Sequence, residues 1–166
     1  VIQRGLVERK FIGRNAVLCL GEKELVLQNL RFPKAEGAEL DRHVAQEAAG
    51  RVPFAVEEAE IRYVEAADVR QGDALMREVI VFACHRPVLQ KSLDLFVQCE
   101  LQPRAVDVEP AALVRSYAAQ VRRPEDTQER SMILHRGQQR TAVAVHQGEA
   151  VPLVKNIQFG GAQYDA

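Results

Sequence analysis

Arg77-Glu-Val-Ile-Val-Phe-Ala-Cys84-His-Arg-Pro87-Val-Leu-Gln-Lys-Ser-Leu-Asp-Leu-Phe-Val-Gln98 holds two kinds of order side by side. The first half, to Cys84, is a strongly apolar run of strand length. The second half, from Pro87, carries Val88, Leu89, Leu93, Phe96 and Val97 at helical spacing, as one apolar stripe. A strand followed at once by a helix predicts a mixed α/β chain.

The flanking segments extend this pattern. Upstream, Ala16-Val-Leu-Cys-Leu20 is a buried-strand run between Gly13 and Gly21. Glu24-Leu-Val-Leu-Gln-Asn-Leu30 reads as a second strand stopped by Pro33. Only Gly21-Glu22-Lys23 separates the two, which predicts a hairpin. Leu40, Val44 and Ala48 recur every four residues and predict a helix over 38–50, ended by Gly50 and Pro53. Glu60-Ile-Arg-Tyr-Val-Glu65 has Ile61 and Tyr63 at period two, a half-buried strand, and Arg70-Gln-Gly-Asp73 is a turn.

Downstream, Ala105-Val-Asp-Val108 is a short strand, and Pro110 suits the first turn of a helix over 111–121. Residues 122–130 are charged, proline-containing and aperiodic, which predicts a linker. Three strand-like runs follow at 132–134, 141–145 and 151–157, with turns at Gly137 and Gly148 and with Gly160-Gly161 at the end.

The chain has 166 residues, 47% apolar and 27% charged, the balance of a soluble globular protein. A formal charge of −1 argues against a dedicated nucleic-acid binder. No apolar run approaches the roughly 20 residues that cross a bilayer, so no membrane insertion is expected. Cys19, Cys84 and Cys99 are odd in number and lack CxxC spacing, which predicts reduced thiols in a cytosol-like compartment. Val1-Ile-Gln-Arg-Gly5 is neither an initiator methionine nor a signal peptide, and is read as an interior cut in a longer protein.

The chemistry-bearing residues each have a plain structural alternative. His43, His85, His135 and His146 show neither HxxxH nor HExxH spacing and are expected to be structural. Cys84 and His85 are strand neighbours, so their side chains diverge. Asp107 and Glu109 alternate about Val108, which would put two carboxylates on one side of a strand end. Such a pair suits Mg²⁺ or proton transfer; the alternative is capping of the helix beginning at Pro110. Walker, GxGxxG and GxSxG motifs are absent. Glycines at Arg136-Gly137…Thr141 and Gly160-Gly161 fit either a backbone phosphate cradle or ordinary hairpin turns.

Taken in order, these segments resemble the PilM family of type IV pilus assembly proteins. Leu25-Val-Leu-Gln-Asn-Leu-Arg-Phe-Pro33, the helix running to Arg51-Val-Pro-Phe54, and Val79-Ile-Val-Phe-Ala-Cys84 carry the likeness. So do the helix ending in Cys99-Glu-Leu-Gln-Pro103, the distinctive Ala105-Val-Asp-Val-Glu-Pro-Ala-Ala-Leu113, Met132-Ile-Leu-His-Arg-Gly137…Thr141, and Val154-Lys-Asn-Ile-Gln-Phe-Gly-Gly161. The resemblance implies a partial actin-like, FtsA-like fold. Residues 1–121 would be the remainder of the first lobe, with a small inserted subdomain at about 34–82, and 131–166 would begin the second lobe.

The implied function is a cytoplasmic scaffold, peripheral to the inner membrane, that binds the cytoplasmic tail of a PilN-like membrane protein among other pilus assembly components. The alternatives are an actin-like ATP-binding protein with nucleotide-switched assembly, and a cytoplasmic domain like that of the type II secretion protein GspL. The family's first phosphate loop, Asp-x-Gly, has no counterpart here, and the second reads His135-Arg136-Gly137. Gly137, Thr141, Gly160 and Gly161 therefore carry over as a degenerate phosphate site. No catalytic residue, metal or cofactor is expected in this chain, and the resemblance leaves ATP with Mg²⁺ open for the full-length parent. Part of a two-lobed fold exposes apolar surface, so artificial dimerisation of the chain is expected as well.

Overall fold

The computed structural model describes residues 1–118, 129–148 and 150–163. A short helix α1 (Ile2–Glu8) precedes strands β1 (Asn15–Leu20) and β2 (Val26–Pro33) and helix α2 (Ala38–Ala49). A long hairpin, β3 (Ala59–Gln71) and β4 (Ala74–His85), leads to α3 (Arg86–Gln98), β5 (Gln102–Val108) and α4 (Glu109–Ala118). Strands β6 (Arg130–Arg136), β7 (Thr141–Gln147) and β8 (Ala150–Ile157) follow. The predicted linker falls largely on residues 119–128, outside the described residues.

Three sheets result, with orders β1-β5, β2-β4-β3 and β6-β7-β8. The first is parallel, with Cys19 opposite Asp107. The other two are antiparallel.

Strand β4 organises the molecule because its apolar run is covered on both faces. Val79, Ile80 and Val81 are each 1% exposed. Successive strand residues point to opposite faces. Val79 and Val81 accordingly meet Leu30, Phe32, Leu40, Val44 and Ala48, a core closed by α2. Ile80 and Phe82 join Ala66, Val114, Ala144 and Val154, a second core that reaches α4 and the carboxyl-terminal sheet. Ala66, two residues beyond Val64 and therefore on the Ile80 face of β3, sits at the bulge between Glu65 and Ala67 and packs into that second core.

The sheet β2-β4-β3 with α2 forms a unit that contains residues 34–82; its first strand, β2, precedes them. Helix α2 buries Leu40, Val44 and Ala48, as the four-residue spacing predicts. The hydroxyl of Tyr63 on β3 donates to Asp41 Oδ1 at 2.7 Å and pins α2 to the sheet. That bond pushes the Tyr63 phenol up to about 12, because ionisation would remove the donor. The fold thus favours the protonated phenol. Its contribution is whole below the unfolded pKa of about 10 and is lost as pH rises toward 12. Tyr63→Phe should cost about 0.5 kcal/mol at neutral pH, the low end for a solvent-exposed hydrogen bond, and should flatten the alkaline decline in urea midpoint.

Several expectations are corrected. No hairpin joins β1 to β2. Glu24 Oε2 accepts the Gly21 N–H at 2.9 Å, and Glu24 N donates to Gly21 O at 3.1 Å, closing a turn that leads the chain away from β1. Strand β2 consequently starts at Val26 rather than Glu24 and pairs with β4, where Leu30 and Phe32 reach the core. Helix α1 carried no signal, since none of its residues is buried. On α3, Leu89, Leu93 and Phe96 are half-buried, whereas Val88 and Val97 lie outside the packed stripe and are exposed. Asp107 and Glu109 part company because β5 ends at Val108 and Glu109 opens α4, so period-two alternation stops between them. Asp107 pairs with Arg115 and accepts the Val108 N–H at 2.8 Å, while Glu109 turns toward His135.

Candidate functional site

The four glycine and threonine positions expected at a phosphate site do come together. The loop between β6 and β7 folds onto the exit of β8, with Gly161 N donating to Gly137 O at 2.9 Å and Ala162 N to Gln138 O at 2.7 Å. Thr141 Oγ1 donates to Phe159 O at 2.7 Å. Gly160 permits this approach: a Cβ there would stand 2.4 Å from Arg140 N. Gly137 N donates to Arg140 O at 2.8 Å, and Gly160 N to Gln163 Oε1 at 2.8 Å.

This loop forms one wall of a cleft of about 450 Å³. The β1–β2 turn with Glu22, Lys23 and Glu24 forms the other wall, and Glu109 and His135 close one side. Arg140 Nη1 lies 2.5 Å from Glu22 Oε1, and Gln158 Nε2 donates to the same oxygen at 3.2 Å. His135 Nε2 lies 3.7 Å from Glu109 Oε1, an ion pair when the imidazole is protonated. Among the described residues, no three His, Cys, Asp or Glu side chains converge as metal ligands.

The other histidines are held by neighbours. His43 stacks on Phe32, and His85 stacks on Phe54 and contacts Glu58 at 3.0 Å. His146 is buried edge-on to Tyr117. Burial pushes the Cys84 thiol up, keeping it neutral and unreactive. Cys19 is raised as well, by burial first and then by Asp107 and Glu109.

A second cleft, about 410 Å³, separates β3 of the small unit from β5. Its lining is chiefly apolar: Leu20, Leu25, Phe82, Leu89, Val106 and Val108, with Glu60 and Arg62 at the rim. Among the described residues β3 pairs only with β4, and β5 only with β1, so both flanking strands are sheet edges. Neither this cleft nor the Glu22–Arg140 contact announces itself in the sequence. Each draws single residues from distant elements with no common spacing. The hint at the Glu22–Arg140 contact is Gly21-Glu22-Lys23, a short turn after an apolar strand.

The architecture matches solved structures with an actin-like fold. A PilM–PilN type IV pilus biogenesis complex superposes with a TM-score of 0.80 at 22% identity, covering 98% of this chain and 48% of that one. The cytoplasmic domain of EpsL, an inner-membrane component of the Vibrio cholerae type II secretion system, gives 0.55 at 15% identity, covering 98% and 58%. A Bacteroides thetaiotaomicron protein with an actin-like ATPase fold and unknown function gives 0.50 at 9%, covering 99% and 56%. The chain therefore has a mixed α/β, actin-like fold and spans about half the length of these structures. No curated protein sequence matches it significantly. The family model for type IV pilus assembly protein PilM matches residues 2–166, and the chain belongs to that family. Among the described residues, no helix is long and apolar enough to cross a membrane.

Proposed function

We propose that this chain is the part of a cytoplasmic pilus scaffold that receives the tail of a PilN-like inner-membrane protein. The observation that carries this reading is the apolar cleft between β3 and β5, bordered by two unpaired strand edges. An extended peptide laid there finds backbone partners along either edge and apolar contacts for alternate side chains. Family membership and the likeness to the PilM–PilN complex support a pilus role over the secretion role suggested by the EpsL likeness. The other edge of β3's sheet, β2, ends at Pro33, which cannot donate to an added strand.

The scaffold needs no chemical step. No nucleophile–base pair lines the apolar cleft, and its one thiol is neutral. Fluorescence polarisation with a cytoplasmic-tail peptide of a PilN-like protein should give saturable binding to the 166-residue chain. Val106 is 45% exposed, so Val106→Asp leaves the fold intact while placing a charge in the cleft. It should weaken binding by about tenfold or more, the cost of one well-buried apolar contact plus a desolvated charge. Undiminished affinity would move the peptide elsewhere.

A further inference from the structure

The cleft beside the β6–β7 loop is spanned by the protein's own charges. Glu22 and Glu109 belong to the first 118 residues, and their partners Arg140 and His135 to the segment after residue 129. Glu22, 20% exposed at its side chain, is the better buried acid, and it takes two donors, Arg140 and Gln158.

Holding a polyphosphate requires unspent N–H donors and a surplus of positive charge. Here four of the loop's donors are spent. Gly137 N, Gly160 N, Gly161 N and the Thr141 hydroxyl are all bonded within the loop and its neighbour strand. The close approach that Gly160 permits is used by the backbone of residues 138–140, leaving no cradle for a ligand. Three carboxylates, Glu22, Glu24 and Glu109, line the space against Lys23 and an Arg140 already paired. These residues do not fit Mg·ATP.

We infer that Glu22–Arg140, assisted by Gln158 and by Glu109–His135, is a clasp that links the two parts of the chain across this cleft without nucleotide. Replacing His135 with aspartate, the acid of an Asp-x-Gly loop, adds a carboxylate beside Glu109 and frees no donor.

Two measurements test this on the whole 166-residue chain. Calorimetric titration with Mg·ATP to about 1 mM, the weak end of the affinity scale, should give no saturable heat in wild type or in His135→Asp. Saturable heat in either overturns the inference. Amide hydrogen exchange at residues 137–141 should accelerate about two- to fivefold in Glu22→Gln and in Arg140→Gln, the range expected for a partly exposed ion pair. Unchanged exchange in both also overturns it. Should Glu22→Gln fail to fold, Arg140→Gln carries the test, since that side chain is 37% exposed. Neither readout involves the tail peptide, so the scaffold proposal stands or falls separately.

Discussion

Leu40→Ala should destabilise the chain by about 2–5 kcal/mol, the range for a leucine removed from a packed core. Leu40 is 0% exposed and sits between Val44 and Ala48 of its own helix and Leu30, Phe32, Val79 and Val81 of the sheet. Few of these neighbours can move into the void, because β4 is held from its other face by Ala66, Val114, Ala144 and Val154. The measurement is urea unfolding followed by circular dichroism, with a lowered midpoint at unchanged slope as the expected result. Val154→Ala should lower the same midpoint in the same single transition, since Val79–Val81 and Ile80–Phe82 are alternate residues of one strand. Two separated transitions would show that the two cores unfold independently. Glu39, exposed on the same helix, provides the control, and Glu39→Ala should stay within about 0.5 kcal/mol.

The second large effect separates two adjacent glycines. A Cβ on Gly160 would lie 2.4 Å from Arg140 N, 2.5 Å from Gln139 C and 2.7 Å from Gln138 C. All three are backbone atoms, so the loop itself must shift. Gly160→Ala should cost about 1–3 kcal/mol by overpacking, lowering Tm by about 2–4 °C per kcal/mol in a chain of this size. At Gly161 the nearest atom to a built Cβ is Gly137 O at 3.7 Å, an ordinary contact. Gly161→Ala should therefore stay within about 0.5 kcal/mol. Differential scanning calorimetry of the pair reads the contrast directly. Equal, small shifts would mean the loop does not rest on Gly160. A large loss in Gly160→Ala should also speed amide exchange at residues 137–141, because Arg140 is carried to Glu22 by that loop.

Both predictions bear on how far the sequence could be read. Leu40, Val44 and Ala48 named their own buried face, because helical periodicity is a local property and one covered face is enough to produce it. Gly160 and Gly161 looked alike as a doublet, and only the approach of residues 138–140 in the β6–β7 loop distinguishes them. Val79–Cys84 announced a strand but not that both faces would be covered, since the covering residues, from Leu30 to Val154, are spread over the chain. Glu22 and Arg140 are 118 positions apart and unremarkable alone; the ion pair exists because two turns face one another across a cleft. The Asp107–Glu109 pairing failed for a nearer reason, a strand ending at Val108 where two-residue alternation had been assumed to continue.

The amino-acid sequence by itself determined the element types and their order from β1 to β8, the inward face of α2 and the family resemblance. The element types and the inward face follow from backbone sterics and side-chain periodicity within about a dozen residues of each position; the resemblance rests on the motifs and their order along the chain. Tertiary structure alone decided that β1 pairs in parallel with β5 rather than with its neighbour β2, and that β4 is shared between two cores. It also decided that the glycine loop bonds to itself and that an apolar cleft opens between β3 and β5. Each of those outcomes depends on which surface a distant segment brings into contact. A strand's partner is chosen by the apolar area the pair can bury together, a quantity no single stretch of the chain contains.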